Sequence, residues 1–123
     1  MKSAINTLVD ELIKLDKDWE LVEYDFVRNT TNSSALLYSR HWRMFIVVEG
    51  YVQDDTMYIK SYLYYVFSSD RLYPLEPMLT RLSKHMYIEC GLHVVPTKVK
   101  KKKLRWYNRG KFYSLVKKEG ATY

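Results

Sequence analysis

The chain is poor in three residue types: one cysteine, four glycines and three prolines in 123 residues. Each shortage excludes something. A lone Cys90 forms no internal disulfide and builds no zinc site. Together with the lack of a charged and then apolar leader pattern at Met1, it points to an intracellular, cytoplasmic setting. There the Asn-x-Thr and Asn-x-Ser sequences at Asn29 and Asn32 read as polar loop rather than glycosylation acceptors. Few glycines and prolines argue against low complexity and disorder. No apolar run reaches transmembrane length, because the longest, starting at Met44, is broken by Glu49, so no membrane partner is expected. The sequence holds no Gly-rich phosphate loop, no Gly-x-Ser-x-Gly and no Glu-x-x-His. His41, His85 and His93 are not paired with one another at ligand spacing. No catalytic residue, metal or cofactor is therefore expected, and the chain reads as non-enzymatic. Cys90, next to Glu89, reads as a small core residue rather than a nucleophile, and His85 as a solvated side chain.

What is abundant is tyrosine, twelve residues, and positive charge, with a net of +6. The charge is unevenly placed. Residues 1–25 carry seven acids and three bases, residues 26–80 five of each, and residues 81–123 two acids and twelve bases, a net of +10. A chain of this length builds one domain, 1–123, with a single core.

The pattern centres on Met44 to Phe67, two β-branched and aromatic runs of period two flanking the polar Gln53-Asp54-Asp55-Thr56. With Asp54 and Asp55 as the loop, Val52, Gly50, Val48 and Ile46 face Met57, Ile59, Ser61 and Leu63 on an aliphatic side. Tyr51, Glu49, Val47 and Phe45 then face Tyr58, Lys60, Tyr62 and Tyr64 on the other. A slip of one residue would exchange the two sides. Upstream, Ile5, Leu8, Val9, Leu12 and Ile13 form one stripe of an amphipathic helix over 3–16, with Ser3 as N-cap and Asp10, Glu11 and Lys14 outward. Strands follow at 20–28 and 35–40, and His41-Trp42-Arg43 either continues the second as a bulge or breaks it. Downstream of a linker at Ser68 to Arg71, Pro74 and Pro77 mark the entrance of a second helix that carries Leu75, Met78, Leu79, Leu82 and Met86 and ends at Gly91. His93 to Val99 is expected to be an extended crossing segment. Residues 98–118 are expected to form a basic hairpin around Asn108-Arg109-Gly110, with Trp106 facing Phe112, Arg105 facing Tyr113, and a frayed end from Gly120 to Tyr123. The expected fold is α+β, a two-layer sandwich of an antiparallel sheet of four to six strands with two helices on one face, in the order α-β-β-β-β-α-β-β.

Two features suggest function. In the C-terminal third, Lys98, Lys100, Lys101, Lys102, Lys103, Arg105, Arg109 and Lys111 are interleaved with Trp106, Tyr107 and Tyr113. Cations that draw phosphates and rings that stack on unpaired bases are the two parts of a nucleic-acid site, for DNA or RNA. The same run would equally serve as an edge hairpin protected by lysines, an anionic membrane contact or a nuclear-import signal. Secondly, Tyr51, Tyr58, Lys60, Tyr62 and Tyr64 form a candidate contact column, for bases or for a protein partner; alternatively it is covered by the C-terminal hairpin or packed in a homodimer. A protein-docking role, such as a viral or phage inhibitor acting on a host enzyme in the host cytoplasm, stands as the alternative to nucleic-acid binding.

The order α-β-β-β-α-β also resembles the core of the PD-(D/E)xK nucleases, which hold Mg²⁺ on an Asp of the second strand and a Glu-x-Lys of the third. Glu11 matches the helix carboxylate of that family and Lys60 its lysine, but position 58 is Tyr and the second strand has no Asp. One carboxylate does not hold the metal. The helix, three strands, helix order resembles a double-stranded-RNA-binding domain as well, with Pro74-Leu75-Glu76-Pro77 where that family places basic residues. Both resemblances lie in the order of elements.

Overall fold

The computed structural model describes residues 4–28, 30–65, 73–105 and 110–114. Its elements are α1 (Ala4–Leu15), β1 (Glu20–Tyr24), β2 (Ser33–Ser39), β3 (Met44–Gln53), β4 (Thr56–Tyr65), α2 (Leu75–Cys90) and β5 (His93–Lys103), followed by a short helical stretch at 110–114. The five strands form one sheet in the order β1-β2-β3-β4-β5, antiparallel except for the parallel pair β4/β5. The architecture is α+β. No described helix is long and apolar enough to cross a membrane.

The central hairpin has the expected register, from Gln53↔Thr56 and Tyr51↔Tyr58 to Phe45↔Tyr64. Asp54 takes a φ of 58°, the left-handed conformation that a short carboxylate side chain tolerates in a tight turn. Because side chains alternate across a strand, this register sends Met44, Ile46, Val48, Met57, Ile59 and Leu63 to one side, where all are buried. There they meet Ile5, Leu8, Val9 and Leu12 of α1 and Leu75, Met78, Leu79, Leu82 and Met86 of α2. Both helices thus lie on the aliphatic face of the sheet.

An aromatic knot closes one end of this layer. Asp16 Oδ2 accepts hydrogen bonds from Trp19 Nε1 (3.1 Å) and from the Tyr73 hydroxyl (2.6 Å). The Tyr73 ring meets both Trp19 and Trp42 edge-on, with centroids 5.1 Å away in each case. Burial and the Asp16 carboxylate push the Tyr73 hydroxyl well above its ordinary pKa. The turn after α1, the β2–β3 turn and the entrance of α2 are joined at one place. Trp42 also resolves the segment 41–43: it is a turn, in which Ser39 Oγ accepts from Trp42 N (3.0 Å) and Arg43 adopts a φ of 53°.

Five expectations are corrected. Glu11 is buried instead of facing outward, because His85 of α2 places Nε2 2.6 Å from its Oε2 and Lys14 Nζ lies 3.2 Å from its Oε1. His85 is accordingly half-buried in an ion pair across the two helices, and Cys90 is exposed rather than core. His93 to Lys103 is no crossing segment but a sheet strand, and it runs parallel to β4 because α2 carries the chain back to the end from which β4 started. The basic hairpin over 98–118 is not formed: residues 98–103 continue β5, and 110–114, the proposed return strand, is helical. Its pairing of Arg105 with Tyr113 falls with it. Ser3, Asn29, the Ser68 to Arg71 linker, Trp106, Tyr107, Arg109 and the segment from 115 onward lie outside the described residues.

Candidate nucleic-acid interface

The opposite side of the sheet divides into two halves. At one, Phe112 and Tyr113 fold back over Phe45: their ring centroids stand 4.9 and 5.5 Å from it, and Phe112 also touches Tyr64 (5.4 Å) and Phe26 (5.7 Å). With Val22, Leu36, Tyr38, Val47 and Leu104 they make a second, smaller core. Burial raises the pKa of the Tyr64 hydroxyl and pushes that of Tyr38 to about 12, helped by Tyr113 beside it. Tyr113 therefore packs inward at this end, and Tyr64 is half covered. Neither offers an open ring.

The other half stays open. Tyr51 and Tyr58 stack on each other across the β3/β4 ladder, with centroids 5.3 Å apart and planes at 25°, and Tyr51 keeps 46% of its surface exposed. Tyr62 follows on the same side of β4, with Lys60 exposed between it and Tyr58. Lys60 lies opposite Glu49 as expected, while the Glu49 carboxylate accepts from Asn32 Nδ2 (3.1 Å).

The lysines reach this half through a local irregularity in β5. Residues Thr56 to Ile59 pair in step with His93 to Pro96, and then the register skips Thr97, so that Lys60 meets Lys98. A residue inserted into one strand inverts the inward and outward parity of everything after it. Before the skip the even-numbered Val94 is buried with the helices; after it the odd-numbered Val99 packs there. Lys98, Lys100 and Lys102 consequently lie beside Lys60, Tyr62 and Tyr64 on the tyrosine side, while Lys101 and Lys103 lie on the helix side. Pro96 supplies no N–H at this point, and Thr97 Oγ1 donates to the Ile59 carbonyl instead (3.0 Å). Lys102 Nζ sits 4.9 Å and Lys98 Nζ 5.7 Å from the centre of the Tyr62 ring. Exposed contacts of this kind are worth about 0.5–1 kcal/mol each, less than the roughly 1.5–3 kcal/mol of a hydrogen bond to a charged group.

Of the residues singled out in the sequence, Tyr51, Tyr58, Lys60, Tyr62, Lys98, Lys100 and Lys102 converge on one surface. Lys101 and Lys103 point away from it, and Arg105 and Lys111 are exposed beyond the end of β5. The strand order also separates the charges. β1, with Glu20 and Glu23, is one edge of the sheet and lysine-rich β5 the other, roughly 19 Å apart at ordinary strand spacing.

Other chemistry is not gathered anywhere comparable. Among the described residues no three His, Cys, Asp or Glu side chains group as metal ligands. Glu11 is packed under α2 on the helix side, whereas Lys60 projects from the other, so the sheet separates the two residues that would match the nuclease site. Burial, Glu11 and Glu89 raise the Cys90 pKa, the opposite of what activates a thiol as a nucleophile. Two depressions lie elsewhere on the described residues, one of about 420 Å³ lined by Lys17, Asp18, Trp19, Glu20, Arg40 and His41, and one of about 330 Å³ between α2 and β5. Sequence reasoning missed the Glu11–His85 pair and the Asp16–Trp19–Tyr73 knot, whereas cover of the tyrosine column by the C-terminal segment stood among its alternatives and is provided over Tyr64 by Phe112. The i+3 spacing from Asp16 to Trp19 was the one signal available. Compared with protein-family models, characterised proteins and solved structures, the chain matches none.

Proposed function

We propose that the protein binds nucleic acid through the open half of its tyrosine face. The observation that carries this reading is the placement of Lys98, Lys100 and Lys102 around Tyr62, on the side of the sheet that also carries Tyr58 and Tyr51. Ammonium groups draw a phosphate backbone by releasing its condensed counterions, and rings beside them offer apolar contact to bases or sugars. The acidic opposite edge repels the same backbone and so orients its approach. Anisotropy titrations of labelled oligonucleotides, repeated at increasing salt, test it. Affinity is expected to fall linearly in log–log form as salt rises; absence of association at low salt, or association indifferent to salt, rejects it.

The alternative, docking onto another protein, draws support from a different place. Tyr87 and Ile88, 54% and 68% exposed at the C-terminal end of α2, form an apolar spot away from the tyrosine-side lysines. Capture from a nuclease-treated lysate separates the readings, because a protein partner survives that treatment and one bridged by nucleic acid does not.

A further inference from the structure

The parity inversion at Thr97 has a consequence for which kind of nucleic acid this surface takes. We infer that the ligand is single-stranded, with its backbone laid along the outer flank of β5 on Lys98, Lys100 and Lys102 and its bases turned inward onto Tyr62 and the Tyr51/Tyr58 pair. This rests on the nucleic-acid reading above and adds to it a strand class, a path and a subset of lysines.

Three features support it. Alternate residues of an extended strand repeat every ~6.6 Å, so the three lysines leave β5 in a straight row, at a spacing suited to successive phosphates of an extended strand once their ammonium groups turn from the ring. Tyr62 lies beside Lys100 in the adjoining row on β4, and the Tyr51/Tyr58 pair lies further along the same side, past Lys60. Duplex bases hide their faces in the stack, so only unpaired bases use rings presented this way. Lys98 and Lys102 flank Tyr62 on both diagonals, at 5.7 and 4.9 Å from its centre. On binding, both ammonium groups swing from the ring to phosphate oxygens and free the ring for a base. Phe112 bounds the path at one end by covering Phe45 and Tyr64. Glu49, opposite Lys60, lies along it between Tyr62 and the Tyr51/Tyr58 pair, held by Asn32 Nδ2.

The decisive comparison uses two double variants of equal charge, Lys100→Ala/Lys102→Ala and Lys101→Ala/Lys103→Ala. All four side chains are exposed, and thermal melting checks that both variants remain folded. The probes are a labelled oligothymidylate and a mixed-sequence duplex of the same length. The inference expects tighter binding of the oligothymidylate, a loss of at least about tenfold and a salt slope flatter by ~1.4 for the first variant, and a change under about threefold for the second. Tyr62→Ala is expected to weaken binding severalfold, with Tyr62→Phe restoring it, since stacking needs the ring and not the hydroxyl. Equal losses in the two double variants, or preference for the duplex, overturn the inference while leaving nucleic-acid binding in place. Failure of both probes to bind removes the nucleic-acid reading and this inference together.

Discussion

The two sides of the sheet are built from alternate residues of the same strands, yet they have opposite ends in view. The helix side is covered by α1 and α2 over Met44 to Gly50 and Met57 to Leu63, where its aliphatic residues are buried, while Val52 at the turn end is 43% exposed and Lys101 and Lys103 stand outside the cover. The tyrosine side is closed where Phe112 and Tyr113 lie over Phe45, half-covered at Tyr62 and Tyr58, and open at Lys60 and Tyr51. Stability is therefore concentrated on one side and the proposed recognition on the other, and neighbouring residues of one strand are expected to be changeable with nearly independent consequences.

The sharpest break of that comparison is at Leu63 and Tyr62. Leu63→Ala leaves a cavity beneath the helices and is expected to cost about 3–4 kcal/mol in urea unfolding. Its neighbour Tyr62→Ala is expected to cost about 1 kcal/mol or less, while lowering oligonucleotide affinity. Comparable costs for the two would show that the sides share the load. Next in size is Phe112→Ala, expected to lose about 2 kcal/mol and to expose Phe45, read as increased binding of a hydrophobic dye. A stable, dye-silent variant would mean that the lid contributes nothing.

Gly50 probes how tightly the helix side of β3 is packed. A Cβ there would stand 3.0 Å from the Tyr58 carbonyl oxygen and 3.1 Å from Ile59 Cγ2 and Met57 Cε. Because one of these neighbours is backbone, Gly50→Ala is expected to cost about 1–2 kcal/mol in the same unfolding assay. An unchanged midpoint would show the ladder to be more yielding than the distances imply.

Alkaline pH tests the closed half of the tyrosine side. Tyr38 ionises near 10.0 when unfolded and about 12 when folded. The unfolded chain then releases its proton first, so stability is full below pH 10.0 and declines as pH rises toward 12. Tyr38→Phe is expected to soften that decline without abolishing it, since Tyr64 and Tyr73 are shifted in the same direction. Identical alkaline unfolding curves would remove Tyr38 from the account. Smallest is Glu49→Gln, which takes a negative charge from beside Lys60 and should tighten oligonucleotide binding about twofold to fivefold. Weaker binding would place the ligand elsewhere.

How much of this was legible beforehand varies along the chain. The hairpin register followed from Asp54-Asp55 and from two uninterrupted period-two runs, and the helix stripes followed from 3.6-residue spacing, because local sterics and burial dictate both. Gly91, with a φ of 69°, donates to Tyr87 O at 3.0 Å and ends α2 where expected. The basic third was misassigned because Asn108-Arg109-Gly110 has the composition of a hairpin loop, while the partner of β5 lies on β4, more than 30 residues upstream. Of the predicted contact residues, the Tyr51, Tyr58, Lys60 and Tyr62 group followed from register alone. Which lysines join it did not.

By itself, then, the sequence settled the periodic elements, the division of β3 and β4 into an aliphatic and a tyrosine side, and the drift of charge from acidic to basic along the chain. These depend on neighbours a few residues apart. Only the tertiary structure decided that β5 runs parallel beside β4, that Thr97 turns Lys98, Lys100 and Lys102 toward the rings, and that Phe112 shuts half of that side. Each of those outcomes depends on pairing between segments far apart in the chain, where a shift of one residue reverses a face and leaves no trace in local composition.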